Sequence, residues 1–168
     1  MTKFMSLSIA TILSLPVLPA VAGYLSVSQM NSNLEKCFQQ TVLLHQKADV
    51  RNLTTLACTK VINNDWVTKE AESNTRLNRG IIYMAQGQYN KAKSDFTHSI
   101  KLNINFYPAH VALAQLLNQE HDFVGAMHHY DKAIALDPDN AKLLRNRQLV
   151  ANSILLNDKN KLTRQVSP

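Results

Sequence analysis

The fold of this chain is decided by residues 80–102, which read GIIYMAQGQYNKAKSDFTHSIKL and recur 34 positions later. The later copy, residues 114–136, reads AQLLNQEHDFVGAMHHYDKAIAL. The matched positions are mostly apolar or small; in the first copy they are Gly80, Tyr83, Gly87, Tyr89, Ala92, Phe96, Ile100 and Leu102. A fixed period of this length is typical of stacked repeats, in which each unit buries its apolar face against its neighbours. The pattern favours a binding protein over a catalyst.

Each copy predicts two amphipathic helices joined by a tight turn. In the first copy, apolar residues at helical spacing flank the break Ala85-Gln86-Gly87-Gln88. Gly80 and Ala92 are small where antiparallel helices approach closely, and Phe96 is large enough to fill the space beside them. Gly87 suits a helix C-terminus, where a positive φ is often needed.

These residues resemble the tetratricopeptide repeat (TPR), through the runs Asn78–Tyr83, Gly87–Ala92 and Tyr130–Pro138. The second copy departs from the pattern at Ala114 and at His121, where glycine is usual. The first copy has Ile104 where proline is usual. The resemblance covers residues 73–140 clearly, and it implies an all-α fold. The expected architecture is a short right-handed solenoid of antiparallel helix pairs, with about three TPR units and a C-terminal capping helix.

The chain divides into six predicted segments. They are a signal peptide at 1–22, N-terminal helices with a degenerate TPR-like unit at 23–72, TPR units at 73–106 and 107–140, a capping helix at 141–156, and a flexible basic tail at 157–168. The degenerate unit is expected to have helices near 32–46 and 56–62, followed by a four-residue insertion at 69–72. Asp139 or Asn140 is the expected N-cap of the capping helix.

The N-terminus has the pattern of an export signal. Lys3 precedes an apolar stretch over residues 4–17, and Ala20 and Ala22 fit the small-residue rule for signal-peptidase cleavage. The predicted mature protein begins at Gly23 and is periplasmic, in line with small exported bacterial TPR proteins. An uncleaved membrane anchor is the alternative interpretation of the same segment.

Export changes the interpretation of the two cysteines, because an oxidising compartment favours disulfides. Cys37 is expected near the start of one helix and Cys58 towards the end of the next, positions that face each other in an antiparallel pair. A structural disulfide would fasten the weakest unit. A redox pair is the rival, although the C-x-x-C spacing is missing.

The charge of the chain is concentrated at its C-terminal end. The formal net charge is +6, and residues 141–168 contain Lys142, Arg145, Arg147, Lys159, Lys161 and Arg164 against Asp158 alone. Weak contact with an anionic membrane surface is one interpretation; a solvated helix face with a frayed tail is the other. Nucleic acid is not expected, because the tail lacks interleaved aromatic residues for base stacking.

The sequence carries no recognisable catalytic constellation, so we expect neither an enzyme nor a cofactor. His121, His128 and His129 raise the question of a metal, with His110 as a further ligand across the repeat. Adjacent helical residues point about 100° apart and no metal-binding spacing is present, so no metal site is predicted. Asp95 is expected to pair with Arg79 or with a basic group on the next repeat, in a structural role.

The resemblance implies a ligand groove lined by the first helix of each repeat. The matching residues are Asn74, Leu77, Asn78, Ile81, Met84, Val111, Gln115, Asn118 and Gln119. Their amides would bind the backbone of a peptide and their apolar groups its side chains. The expected partner is an unidentified protein or peptide. Alternatives remain: Ile81 and Met84 are simply buried between helices, or the surface is covered by the protein's own N-terminal helix or by a second copy in a self-associating scaffold.

Overall fold

The computed structural model describes the backbone of residues 19–46, 49–50 and 53–166. Within these residues the chain is helical, with no strand. The helices are α1 Pro19–His45, α2 Leu56–Ile62, α3 Lys69–Ala85, α4 Tyr89–Leu102, α5 Tyr107–Gln119, α6 Phe123–Leu136 and α7 Ala141–Val166. Each helix packs mainly against its neighbours in the chain. The predicted all-α solenoid of helix pairs is therefore confirmed.

The central pair, α3 and α4, is packed as the small and large residues of the sequence predict. Ala92 and Phe96 of α4 have no exposed surface. The Phe96 ring occupies the space that a side chain at Gly80 would need. Gly87 lies in the turn between α3 and α4 and has a φ of +73°, the left-handed conformation expected there. The same core continues into α5, α6 and α7 through residues such as Leu116, Tyr130 and Val150.

Residues 69–72, the predicted four-residue insertion, form the first turn of α3. The Thr68 side chain caps this helix by accepting a hydrogen bond from the Ala71 backbone N–H at 3.1 Å. As a result α3 has 17 residues whereas α5, its counterpart in the next repeat, has 13.

The N-terminal unit consists of α1 and α2, and the Cys37–Cys58 disulfide joins them. The two Cα atoms lie 4.8 Å apart, and both cysteines are buried. The disulfide is as predicted, but its position within the helices is not. Cys37 lies in the C-terminal half of α1 and Cys58 in the first turn of α2, because α1 begins well before residue 32.

The last helix is longer than the sequence interpretation allowed. Helix α7 continues through Val166, so the predicted end at residue 156 and the flexible tail from residue 157 were wrong. Residues 141–166 contain neither glycine nor proline, and lysine, leucine, arginine and glutamine are good helix formers. Asn140 caps α7 as one of the two predicted candidates: its Oδ1 accepts from the backbone N–H groups of Lys142 and Leu143 at 3.2 and 3.3 Å.

In the described part of the chain, no helix combines the length and the apolar character needed to cross a bilayer. Residues 1–18 of the predicted signal peptide lie outside the described residues. Cleavage before Gly23 and export therefore stay predictions.

Candidate functional site

A pocket of about 460 Å³ opens on the face formed by the first helix of each unit. Helices α3 and α5 form its floor, and α1 and α7 contribute at its two sides. Its lining comprises Leu44, His45, Leu77, Ile81, Met84, Tyr107, Pro108, Val111, Ala112, Gln115, Asn140, Lys142, Leu143 and Asn146. We call this cavity the central pocket.

The repeat explains why these side chains converge. Leu77, Ile81 and Met84 recur at intervals of four and three residues, so they share one face of α3. Val111 and Gln115 occupy the equivalent face of α5, 34 positions after Leu77 and Ile81. Ile81, Met84 and Val111 are partly buried against the main core while part of each faces the pocket. Ile81 and Met84 each contact the core on one side and line the pocket on the other, and their role in ligand binding stays a prediction.

The structure brings together five of the nine predicted groove residues, namely Leu77, Ile81, Met84, Val111 and Gln115. Asn74, Asn78, Asn118 and Gln119 do not line the central pocket. Asn78 is turned about 100° around α3 from Leu77. The Gln119 amide instead donates to the Tyr89 hydroxyl at 2.7 Å. The Asn118 Oδ1 atom is buried without a hydrogen-bond partner among the described residues.

Several pocket residues were missed by sequence reasoning, among them the α7 residues Lys142 and Asn146. A usable signal existed, because 34 residues separate them from Pro108 and Ala112, which also line the pocket. Extending the repeat period into α7 would have identified both. Leu44 and His45 had no such signal, since the α1 unit matches the repeat only weakly and with a different spacing.

The lining of the central pocket combines apolar side chains with a few hydrogen-bonding groups. Its lining is mainly aliphatic, with an amide from each of Gln115, Asn140 and Asn146. Lys142 is the one lysine or arginine in the lining, which has no carboxylate and no cysteine. These residues can bury apolar groups and hydrogen-bond a peptide backbone, but they include no nucleophile paired with a general base.

The predicted pair of Arg79 and Asp95 is confirmed and is part of the framework behind the pocket. Arg79 Nε and Nη2 donate to the two Asp95 carboxylate oxygens, each at 2.8 Å. Arg79 Nη1 also donates to Thr59 Oγ1 at 3.0 Å, so one guanidinium joins α2, α3 and α4. The hydrogen bond and charge of Asp95 raise the pKa of Arg79 despite the opposing effect of burial.

The histidines do not gather into a metal site. Among the described residues, no three His, Cys, Asp or Glu side chains are placed to share an ion. His110 and His129 do meet across α5 and α6, with their Nδ1 atoms 3.1 Å apart. His128 lies beside them, its ring centroid 5.3 Å from that of His129.

Comparison with known proteins agrees with this architecture. The sequence model of the tetratricopeptide repeat matches residues 73–104. The fold is similar to that of the first TPR of Spaghetti (RPAP3), described in complex with the HSP90 peptide SRMEEVD. The TM-score is 0.62 at 15% identity, over 73% of this chain and 95% of that one.

Two further solved structures share the fold. The C-terminal TPR-containing domain of a Plasmodium falciparum FK506-binding protein has a TM-score of 0.62 at 16% identity, over 78% of this chain and 93% of that one. The second TPR domain of human RPAP3 is described in complex with the HSP70 peptide SGPTIEEVD. Its TM-score is 0.60 at 15% identity, over 74% of this chain and 96% of that one. Residues 73–104 therefore match a tetratricopeptide repeat, and the chain shares the fold of solved TPR domains.

Proposed function

We propose that this protein is a non-catalytic interaction module that binds a peptide or protein segment in the central pocket. The observation that carries the proposal is the pocket itself, a mainly aliphatic cavity of about 460 Å³ built from four helices. Cavities of this size with a few polar groups are typical ligand sites. Two solved domains with the same fold are described with bound HSP90 or HSP70 peptides, which supports the same class of ligand here.

The lining favours a segment that presents apolar side chains. Ile81, Met84 and Val111 would contact those side chains, and burial contributes about 25 cal/mol for each Å² of apolar surface removed from water. Gln115 and Asn146 would hydrogen-bond the peptide backbone. Lys142 favours an acidic group at one side of the pocket, but a single lysine leaves apolar contact as the main source of affinity.

We further propose that the protein works in the bacterial cell envelope after export. The signal-like N-terminus, ending at Ala22, supports this location. The buried Cys37–Cys58 disulfide is compatible with it, because such bonds persist in oxidising compartments.

The binding proposal is tested by selecting peptides from a random library on the oxidised protein and measuring the Kd of the best one. Tyr107→Glu is the pocket variant: Tyr107 is 38% exposed and is the first residue of α5, where a negative charge is favourable. Val124→Glu is the matched control on α6, since Val124 is 76% exposed and lies outside the pocket.

We expect Tyr107→Glu to weaken peptide binding by about tenfold or more and Val124→Glu to leave it unchanged, because a buried apolar contact is replaced by a charge. Circular dichroism establishes that both variants are folded. Equal affinity of the two folded variants would show that the central pocket is not the binding surface.

Self-association is the second candidate function, and a specific observation favours it. Helix α7 exposes four leucines, Leu144, Leu149, Leu155 and Leu156, to the extent of 47–61% each. A second copy would remove this apolar surface from water. Sedimentation equilibrium tests it: a mass that rises with concentration in the native protein and not in Leu155→Glu supports the scaffold, and a constant monomer mass excludes it.

A further inference from the structure

His110 is a buried titratable side chain that the proposed function does not use. The residue is 3% exposed, and both ring nitrogens have partners. Its Nε2 lies 3.0 Å from the backbone oxygen of Ile104, in the turn between α4 and α5. Its Nδ1 lies 3.1 Å from Nδ1 of His129 on α6. The imidazole therefore connects the α4–α5 turn to the α5–α6 pair.

These partners determine where the protons are. A carbonyl oxygen can only accept, so the His110 Nε2 carries a proton and donates it to Ile104. In the neutral ring Nδ1 is then an acceptor, and His129 Nδ1–H is the donor. A second proton on His110 would set two N–H groups against each other at 3.1 Å and break this bond.

The histidine takes the place of the missing proline in the first repeat. The second copy closes with Pro138, and the residue 34 positions earlier is Ile104, whose carbonyl accepts from His110. Conversely, the position 34 residues after His110 is Leu144. The repeat that ends with Pro138 thus has Leu144 at the position equivalent to His110. The repeat without the proline has an exit turn that His110 contacts through Ile104.

We propose that the His110–His129 pair is a proton-sensitive latch, which holds the α4–α5 turn and the α5–α6 contact at neutral pH and releases them in acid. In the closed state the His110 Nδ1 accepts a hydrogen bond and has no room for a proton, and burial disfavours a proton on His129. In the open state the two imidazoles reach water, and these positions become accessible to protons. Acid therefore favours opening. The equilibrium constant for opening increases up to tenfold for each pH unit of acidification and each additional proton that the open state binds.

The surroundings of His129 also oppose its protonation. Burial is the largest influence on His129, followed by the charges that His110 and His128 would carry, and together they lower its pKa to about 4 against a weaker opposite effect of Asp122. The turn residues 103–106 include no titratable side chain, and α4 contributes exposed Lys101 in its last turn. On α7, Arg147 is paired with Asp131.

The latch would also affect the central pocket. The turn leads directly into Tyr107 and Pro108, two residues of the pocket lining. Release of Ile104 would loosen the start of α5 and the pocket wall that it forms. This consequence rests on the proposed function, whereas the latch itself does not.

The test uses the oxidised full chain with ¹⁵N-labelled histidine. Long-range ¹H–¹⁵N spectra at pH 7 read the tautomers directly, and we expect the proton of His110 on Nε2 and that of His129 on Nδ1. Amide hydrogen exchange of residues 105–107, corrected for the intrinsic pH dependence, then gives the opening constant of the turn. It should rise at least tenfold between pH 7 and pH 5.

Two substitutions complete the experiment. His129→Gln retains an N–H donor but cannot titrate, so the pH dependence of turn opening should fall severalfold. His128→Gln removes the exposed imidazole beside His129 and should leave the pH dependence of turn opening unchanged. A His110 proton on Nδ1, or turn opening that depends on pH equally in His129→Gln and the native protein, would overturn the latch. The tautomer measurement decides the matter even if His129→Gln does not fold.

Discussion

Gly80 of α3 lies against the ring of Phe96 of α4 so closely that a Cβ at residue 80 would come within 2.5 Å of the ring Cε1 atom. The contact sets the spacing of the central helix pair, because Phe96 is fully buried and has no free space to move into.

We expect Gly80→Ala to destabilise the protein by about 1–3 kcal/mol, since overpacking outweighs the higher helix propensity of alanine. Urea unfolding followed by circular dichroism measures the change. In a Phe96→Leu background, Gly80→Ala should lower the free energy of unfolding clearly less than it does in the native protein. The double-mutant cycle then isolates the contact between residues 80 and 96. An equal cost in both backgrounds would mean that the ring is not responsible.

His121→Gly should stabilise the protein by roughly 0.5–1 kcal/mol. His121 has φ 63°, a conformation that costs an L-residue about 1–2 kcal/mol, and the flexibility of glycine in the unfolded chain offsets part of the gain. His128→Gly is the control on α6, where glycine should cost about 1 kcal/mol. Thermal unfolding should move the two Tm values in opposite directions; a lower Tm for His121→Gly contradicts the prediction.

The ion pairs Arg79–Asp95 and Arg147–Asp131 differ in burial and should differ in their effect on stability. Asp95→Asn leaves Arg79 without its anion where the side chains are 3% and 15% exposed, and we expect a loss of roughly 2–4 kcal/mol. Asp131→Asn breaks the pair with Arg147, whose members are 51% and 38% exposed, and should change the stability far less, because exposed ion pairs contribute little. Similar unfolding free energies for both variants would rule out a special role for Arg79–Asp95.

Reduction of Cys37–Cys58 should lower the free energy of unfolding by about 3 kcal/mol, because the bond closes a loop between residues 21 positions apart. Urea unfolding with and without a phosphine reductant measures this. The same reductant should have no effect on a variant with both Cys37→Ala and Cys58→Ala. If the reductant lowers the free energy of unfolding of that variant by the same amount, the effect does not come from the disulfide.

Stability should rise with pH between about pH 4 and pH 6.5. Burial lowers the His129 pKa to about 4, whereas an unfolded histidine titrates near 6.5, so the unfolded chain binds more protons in this window. The stability present above pH 6.5 is lost as the pH falls towards 4, by about 1–2 kcal/mol once partial solvent access is allowed for. Unfolding free energies at pH 7 and pH 4.5 should differ less in His129→Gln. An unchanged difference refutes the assignment to His129.

The repeated part of the chain was the most predictable. Gly80, Ala92 and Phe96 are constrained by close packing that their sizes reveal, and Asn140 caps a helix for reasons local to its own side chain. The length of α7 was less predictable, because residues 141–166 contain no glycine or proline that could show whether the helix ends near residue 156 or continues.

The binding surface was predictable only in part. Leu77, Ile81 and Val111 follow from the repeat period, but Leu44 and His45 come from a helix outside it. Their approach to α3 depends on the tertiary packing of α1 against α3, which no local pattern encodes. Asn118 and Gln119 have helical spacing consistent with a groove, yet Gln119 bonds Tyr89 instead.

The central pocket draws on helices from the whole described length of the protein, with Leu44 near the end of α1 and Lys142 at the start of α7. A fragment limited to residues 73–140 would keep the floor from α3 and α5 and lose the lining from both flanking helices. The smallest unit able to form the complete central pocket is therefore larger than the two repeats that the sequence displays. Shuffling those repeats into another protein would transfer the fold without the complete pocket.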